Sequence, residues 1–121
     1  MINLINQNLI SSLINNHDKV LDIGCGSGEL LYFLEKTKNI QGQGIEISHL
    51  GVKESVSKGL SVIQGDADED LINFPDHTFD IVILSDTLQA THKPKEVLEQ
   101  MLRIGKKCII CIPNFGYWKY R

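Results

Sequence analysis

Residues 20–30 read "VLDIGCGSGEL": an apolar run containing one acid, three glycines at alternate positions, then helix formers. A chain that leaves a strand through glycines and enters a helix at once makes a tight turn. Without Cβ atoms there, its backbone also lets a ligand come close. Many cofactor folds share this device, and the spacing tells them apart. Gly24, Gly26 and Gly28 form G-x-G-x-G rather than the G-x-G-x-x-G of dinucleotide loops, and no G-K-[ST] ending marks a phosphate loop. Asp22, two residues before the first glycine, would repel a pyrophosphate and suits a cationic ligand, such as one with an ammonium and a sulfonium.

Strand and helix patterns alternate on both sides of this loop. Upstream, "KVLDI" (19–23) is a short buried strand, and residues 2–14 place Ile2, Ile5, Leu9 and Leu13 at the spacing of an amphipathic helix. Downstream, a helix from Glu29 to Lys36 turns Leu30, Leu31, Phe33 and Leu34 toward the core. "IQGQGIEI" (40–47) reads as the second strand, with Ser48 capping a helix that ends near Lys58, before Gly59. "LSVIQ" (60–64) is the third strand, "DEDLINF" (68–74) a short helical or irregular connection, and "FDIVILS" (79–85) a fourth strand apolar enough to be central. Pro94 opens a helix with Val97, Leu98, Met101 and Leu102 on one face, Gly105 stops it, and "KKCIICI" (106–112) is the fifth strand. This alternation predicts an α/β fold: a mostly parallel sheet with right-handed crossovers and helices on both faces. Its ligand site lies beyond the carboxyl ends of the strands, where strand order reverses. No repeat, low-complexity tract or linker divides the chain, so residues 1–121 are expected to form one domain.

Two more acids stand at strand ends. Glu46 closes the second strand about 20 residues beyond the glycines, where a carboxylate accepts from both ribose hydroxyls, which implies a nucleoside. Asp66, in "QGDAD" after the third strand, stands where a carboxylate takes an adenine amino group. Singly, each acid also has a plain reading: Asp66 as a turn or helix cap, Glu46 as a cap, Asp22 as a turn former. Three at successive strand ends around one glycine loop form a site.

A formal charge of −3 and a pI near 5.7 argue against a general nucleic-acid binder. Residues 1–92 hold thirteen of the fifteen acids and five of the twelve Lys and Arg, a net −8, and residues 93–121 carry +5, the pattern of a solvated helix and a basic tail. No apolar run approaches the ~20 residues of a membrane span, and the Asn-rich start lacks the marks of a signal peptide, so a cytoplasmic protein is expected. Three cysteines suit a reducing compartment. Cys108 and Cys111 spell C-x-x-C within a strand, where residues three apart face opposite sides, and no second ligand pair supports zinc.

The glycine loop and the three acids resemble the class I S-adenosylmethionine-dependent methyltransferases over almost the whole chain. That resemblance implies a Rossmann-like sheet of strand order 3-2-1-4-5. By it, Asp22 and the backbone around Gly24 and Gly26 meet the methionine part of the cofactor, Glu46 the ribose, and Asp66 with Ala67 the adenine. Cys25, Gly28, Ile47 and Ser85 complete the implied cofactor-binding set. Two further stretches, "VILSDTLQAT" (82–91) and "IPNFGYW" (112–118), together with "GIEIS", "VIQGDADEDL" and "FPDHTFD", resemble the MetW family of methionine-biosynthesis proteins. The family resemblance implies a role with homoserine O-acyltransferase. Two departures stand out: Asp86 where the family motif has Gln, and an end at Arg121 where class I methyltransferases continue through two more strands. The C-terminal edge strands are thus expected to be missing, leaving the fifth strand open to pairing.

Methyl transfer from a sulfonium is a direct displacement and needs no nucleophile signature. Ser85, Asp86, Thr87 and His92, after the fourth strand, are the candidates to hold or deprotonate an acceptor. Asp86 and His92 are the catalytic candidates, against a capping carboxylate and a solvated histidine. "PNF" (113–115) only echoes the Asn/Asp-Pro-Pro-aromatic signature of amino-methylating nucleic-acid enzymes. One expectation is a methyltransferase acting on a small molecule, with S-adenosylhomocysteine as product. The other is a non-catalytic S-adenosylmethionine-binding partner of homoserine O-acyltransferase, docking through the aromatic, basic end that holds Phe115, Tyr117 and Trp118. The plainer reading of those rings, and the favoured one, is packing under segments that the chain lacks. Nicotinamide dinucleotide binding is disfavoured by the glycine spacing and by Asp22.

Overall fold

The computed structural model describes residues 4–85 and 91–111. Strands β1 (Lys19–Ile23), β2 (Gln41–Glu46), β3 (Val62–Gln64), β4 (Phe79–Ser85) and β5 (Gly105–Cys111) form one sheet in the order β3-β2-β1-β4-β5, each neighbouring pair parallel. Helices α1 (Leu4–Ser12), α2 (Glu29–Lys38), α3 (His49–Ser57), α4 (Ala67–Asp70, followed by a 3-10 turn at Leu71–Asn73) and α5 (Pro94–Ile104) precede and connect them. This is the α/β arrangement and strand order expected above. The order reverses between β1 and β4, which puts the crevice at the carboxyl end of β1, where the glycine loop leaves.

Because β1 and β4 are central, both of their faces are buried, and alternate residues feed two cores. Val20, Ile81 and Ile83 join Leu30, Leu31 and Leu34 of α2 on one side; Leu21, Ile23, Val82 and Leu84 join Val97, Met101 and Ile104 of α5 on the other. Each such aliphatic side chain contributes roughly 1.5–3 kcal/mol. The glycines of "QGQG" in β2 let α2 approach: a Cβ on Gly44 would stand 2.6 Å from Cys25 Sγ and 3.0 Å from Leu31 Cδ1.

Two helix faces differ from expectation. In α1 and the turn that follows it the residues at helical spacing, Leu9 and Leu13, are 61% and 53% exposed, while Ile10 and Ile14 are buried. The segment carries two adjacent apolar stripes, and docking against the α2 side of the sheet, not spacing, selects one. In α5, Leu102 is 68% exposed and Ile104 is buried in its place. Gly105 ends the helix with an extended backbone and begins β5 with no intervening loop, so the last turn is drawn onto the sheet.

Candidate functional site

The loop after β1 is built from left-handed glycines, Gly24 (φ +71°), Gly26 (φ +60°) and Gly28 (φ +87°), a conformation that costs a side-chain-bearing residue about 1–2 kcal/mol. The chain is sewn to β2 as it turns. Gly24 N and Cys25 N donate to Ile45 O (2.8 and 3.3 Å), and Gly28 N closes the turn on Cys25 O (3.0 Å). Gly26 N donates to Glu46 Oε1 at 2.8 Å, while Ser48 N donates to Glu46 Oε2 at 2.9 Å. The Glu46 carboxylate is thereby held at both oxygens, and each oxygen keeps acceptor capacity for a further partner.

Asp22 lies on the β1 face shared with Val20 and is wholly buried. The parallel register sets Asp22 opposite Ile83, so the next β4 residue on that face is Ser85. Its Oγ donates to Asp22 Oδ1 at 3.1 Å. A hydrogen bond of this kind contributes about 0.5–1.5 kcal/mol net. Asp66 caps α4, its Oδ1 accepting from Asp68 N at 2.9 Å, so the capping role weighed for it is real.

A cleft of about 370 Å³ opens at these strand ends, lined by Gly24, Gly26, Glu46, Ile47, Asp66 and Ala67, and also by Gly65, Asp68 and Thr91. Among the described residues that line it, three are carboxylates and none is Lys, Arg or His. A Cβ built on Gly26 meets nothing within 4 Å, so the space above the loop is open. Gly65, Asp68 and Thr91 were missed in the sequence. Asp68 accepts from His92 N (2.9 Å) and Lys93 N (3.0 Å), which ties α4 to the start of α5. Those backbone donors, His92 first, hold its carboxyl below the usual range. The alternation Asp66, Asp68 around Ala67 was the available signal, but it does not say what each carboxylate meets.

Other expected residues stand behind or beside the cleft. Cys25 is buried under the loop; burial first, then the Asp22 and Glu46 carboxylates, push its thiol up to about 12, so it stays protonated. Gly28 is a packing position: a Cβ there would fall on Leu60 Cδ1 and 2.8 Å from Ser55 Oγ. Ser85 is bonded to Asp22, and both are buried at the strand ends behind the cleft and do not line it. His92 is exposed and does not line the cleft. Asp86, Thr87, Phe115, Tyr117 and Trp118 lie outside the described residues. Among the described residues no cluster of His, Cys, Asp and Glu could hold a metal ion, and no helix is long and apolar enough to cross a membrane.

The model of a family described as methionine biosynthesis protein MetW matches residues 5–121. A bifunctional methionine biosynthesis protein MetXA/MetW of Rhodopirellula baltica is 34% identical over 125 residues, covering 97% of this chain and 20% of that protein. Among solved structures, a chain of the complex containing the Haloferax volcanii Trm112 methyltransferase activator superposes with a TM-score of 0.71 at 28% identity, over 81% of this chain and 46% of that one. An S-adenosylmethionine-dependent methyltransferase from Geobacter sulfurreducens, solved with S-adenosylhomocysteine, gives 0.68 at 22% identity, over 84% and 45%. The chain thus spans about a fifth of the curated relative and less than half of either solved chain.

Proposed function

The chain belongs to the methionine biosynthesis protein MetW family, and from that premise we propose that its cleft binds S-adenosylmethionine and that the protein transfers the methyl group to a small-molecule acceptor, leaving S-adenosylhomocysteine. The observation that carries this reading is the Glu46 carboxylate, fixed by Gly26 N and Ser48 N at the edge of a cleft with an open glycine floor and, among the described residues, no basic lining side chain. Among the described lining residues a pyrophosphate would meet three carboxylates and no cation, whereas a nucleoside with a cationic tail meets acceptors.

Glu46 would take the ribose hydroxyls on its remaining lone pairs, and Asp66, Ala67 and Ile47 the adenine. Asp22 with the Gly24 and Gly26 backbone would hold the methionine part, and Ser85 would fix Asp22. Cys25 and Gly28 would support the loop from behind. When bound, the cofactor supplies a methyl group activated by its sulfonium, and the chain supplies orientation.

One observation favours a second reading. In the Rhodopirellula protein a MetW part shares one polypeptide with a MetXA part. A non-catalytic partner of homoserine O-acyltransferase that reads S-adenosylmethionine is its counterpart for a separate chain. Calorimetric titration with S-adenosylhomocysteine, beside NAD and a Glu46→Ala variant, tests the site: micromolar binding that is lost in the variant and absent for NAD is expected. A folded protein that binds no S-adenosylhomocysteine refutes it. Co-purification with the acyltransferase, set against methyl turnover with supplied acceptors, separates the two readings.

A further inference from the structure

One face of α3 is built against the glycine loop. Ser55 is wholly buried, and its Oγ donates to Gly26 O at 3.0 Å. One turn on, Lys58 Nζ donates to Ser27 O at 2.7 Å. One turn before, Gly51 has no side chain because a Cβ there would stand 3.0 Å from the same Gly26 O and 2.9 Å from Glu46 Cγ. Residues 51, 55 and 58 lie at i, i+4 and i+7, a single stripe. The stripe therefore admits the loop at its small residue, bonds the Gly26 carbonyl at its hydroxyl, and bonds the Ser27 carbonyl at its ammonium. Among the described residues the further donor to Gly26 O is the Cys25 thiol at 3.9 Å, a weak one. Gly26 is also the residue whose N–H fixes Glu46 and whose open face floors the cleft.

We infer that Ser55, assisted by Lys58, is a positioning residue for the ligand: it sets the Gly26–Ser27 backbone that would receive the methionine half of S-adenosylmethionine, without touching the ligand itself. The inference rests on the function proposed above. It makes a split prediction, because the nucleoside half would rest on Glu46 and Asp66 at the ends of β2 and β3, whereas the amino-acid half would rest on the loop.

The test is titration of wild type, Ser55→Ala, Lys58→Met and Lys58→Arg with S-adenosylhomocysteine and with adenosine, alongside hydrogen exchange of the loop amides. Ser55→Ala should weaken S-adenosylhomocysteine by several-fold, up to the about ten-fold that one hydrogen bond is worth when binding must restore the loop geometry. Adenosine should change less than two-fold. Lys58→Met should give a smaller loss of the same pattern, restored by Lys58→Arg. Equal loss for both ligands, or no loss for either, overturns the inference. If wild type binds S-adenosylhomocysteine not at all, the proposed function fails instead. Exchange of the Ser27 and Gly28 amides then decides the positioning role: acceleration in Ser55→Ala supports it, and unchanged rates overturn it.

Discussion

Gly26 and Gly28 share a left-handed backbone, yet replacing them with alanine should have opposite consequences. At both positions the alanine backbone is strained by about 1–2 kcal/mol, partly offset by about 0.4–1 kcal/mol from a less flexible unfolded chain. At Gly26 nothing lies within 4 Å of the new Cβ, so the cost stops there, at roughly 0.5–1 kcal/mol. At Gly28 the Cβ falls on Leu60 Cδ1 and stands 2.8 Å from Ser55 Oγ and 3.2 Å from Ser55 Cβ. Leu60 and Ser55 are both buried and have little room to retreat, so overpacking adds about 1–3 kcal/mol. Gly28→Ala should thus lose roughly 2–4 kcal/mol, a fall in Tm on the order of 10 °C for a chain of this size. Gly26→Ala should stay within about 4 °C of wild type. Ligand binding should run the other way. The Gly26→Ala methyl enters the open space of the cleft and should weaken S-adenosylhomocysteine by more than ten-fold, whereas Gly28→Ala, assayed well below its Tm, should lose no more than Ser55→Ala does, because its methyl presses on the Ser55 hydroxyl and not into the cleft. Thermal unfolding followed by circular dichroism, with titration at 15 °C, reads both. Equal thermal losses in the two variants would refute the assignment of Gly28 to packing and Gly26 to the cleft floor.

Two other outcomes follow from the charges. The folded-state pKa of Asp68 is depressed, so the stabilisation it gives is fully present above its unfolded value near 3.9 and is lost as pH falls through the lowered folded value. Asp68→Asn should therefore be less stable than wild type in urea at pH 7, and the gap should close under strongly acidic conditions; a gap independent of pH would count against the two-amide latch. Cys25, protonated and buried, should resist iodoacetamide at pH 8 in the native protein and react once unfolded in urea, as read by peptide mass mapping. Native alkylation at the rate of a free thiol would show that the loop does not cover it.

The strands were legible because β-branched runs, glycines and helix caps are local signals, and each is separated by a turn with its own chemistry; their order, β3-β2-β1-β4-β5, is a property of the whole sheet and was implied only by the family resemblance. Ser48 caps α3 and Gly59 follows its end, as their types require. Asp22, Glu46 and Asp66 could be placed at strand ends because a strand's last residue and the loop after it are adjacent in sequence as well as in space. What each carboxylate meets was not legible. Glu46 is held by Gly26 N, twenty residues away. Asp22 accepts from Ser85, sixty-three residues away. Asp68 accepts from two amides beyond β4.

The same divide runs through the helices. Period and composition establish that residues 4–12 and 94–104 are amphipathic helices, since apolar spacing is a property of one element. Whether Ile10 or Leu9, Ile104 or Leu102 turns inward is a property of two elements, because burial is settled by the surface that each helix meets. Ser55 shows the point most fully. In sequence it is an ordinary helix serine, and only the crossing of α3 over the glycine loop makes its hydroxyl the partner of Gly26 O. The alternation of strand and helix and the acids at the strand ends follow from the sequence by itself. Which groups grip the loop, and so what the cleft can hold, was decided by contacts between segments that only the closed sheet brings together.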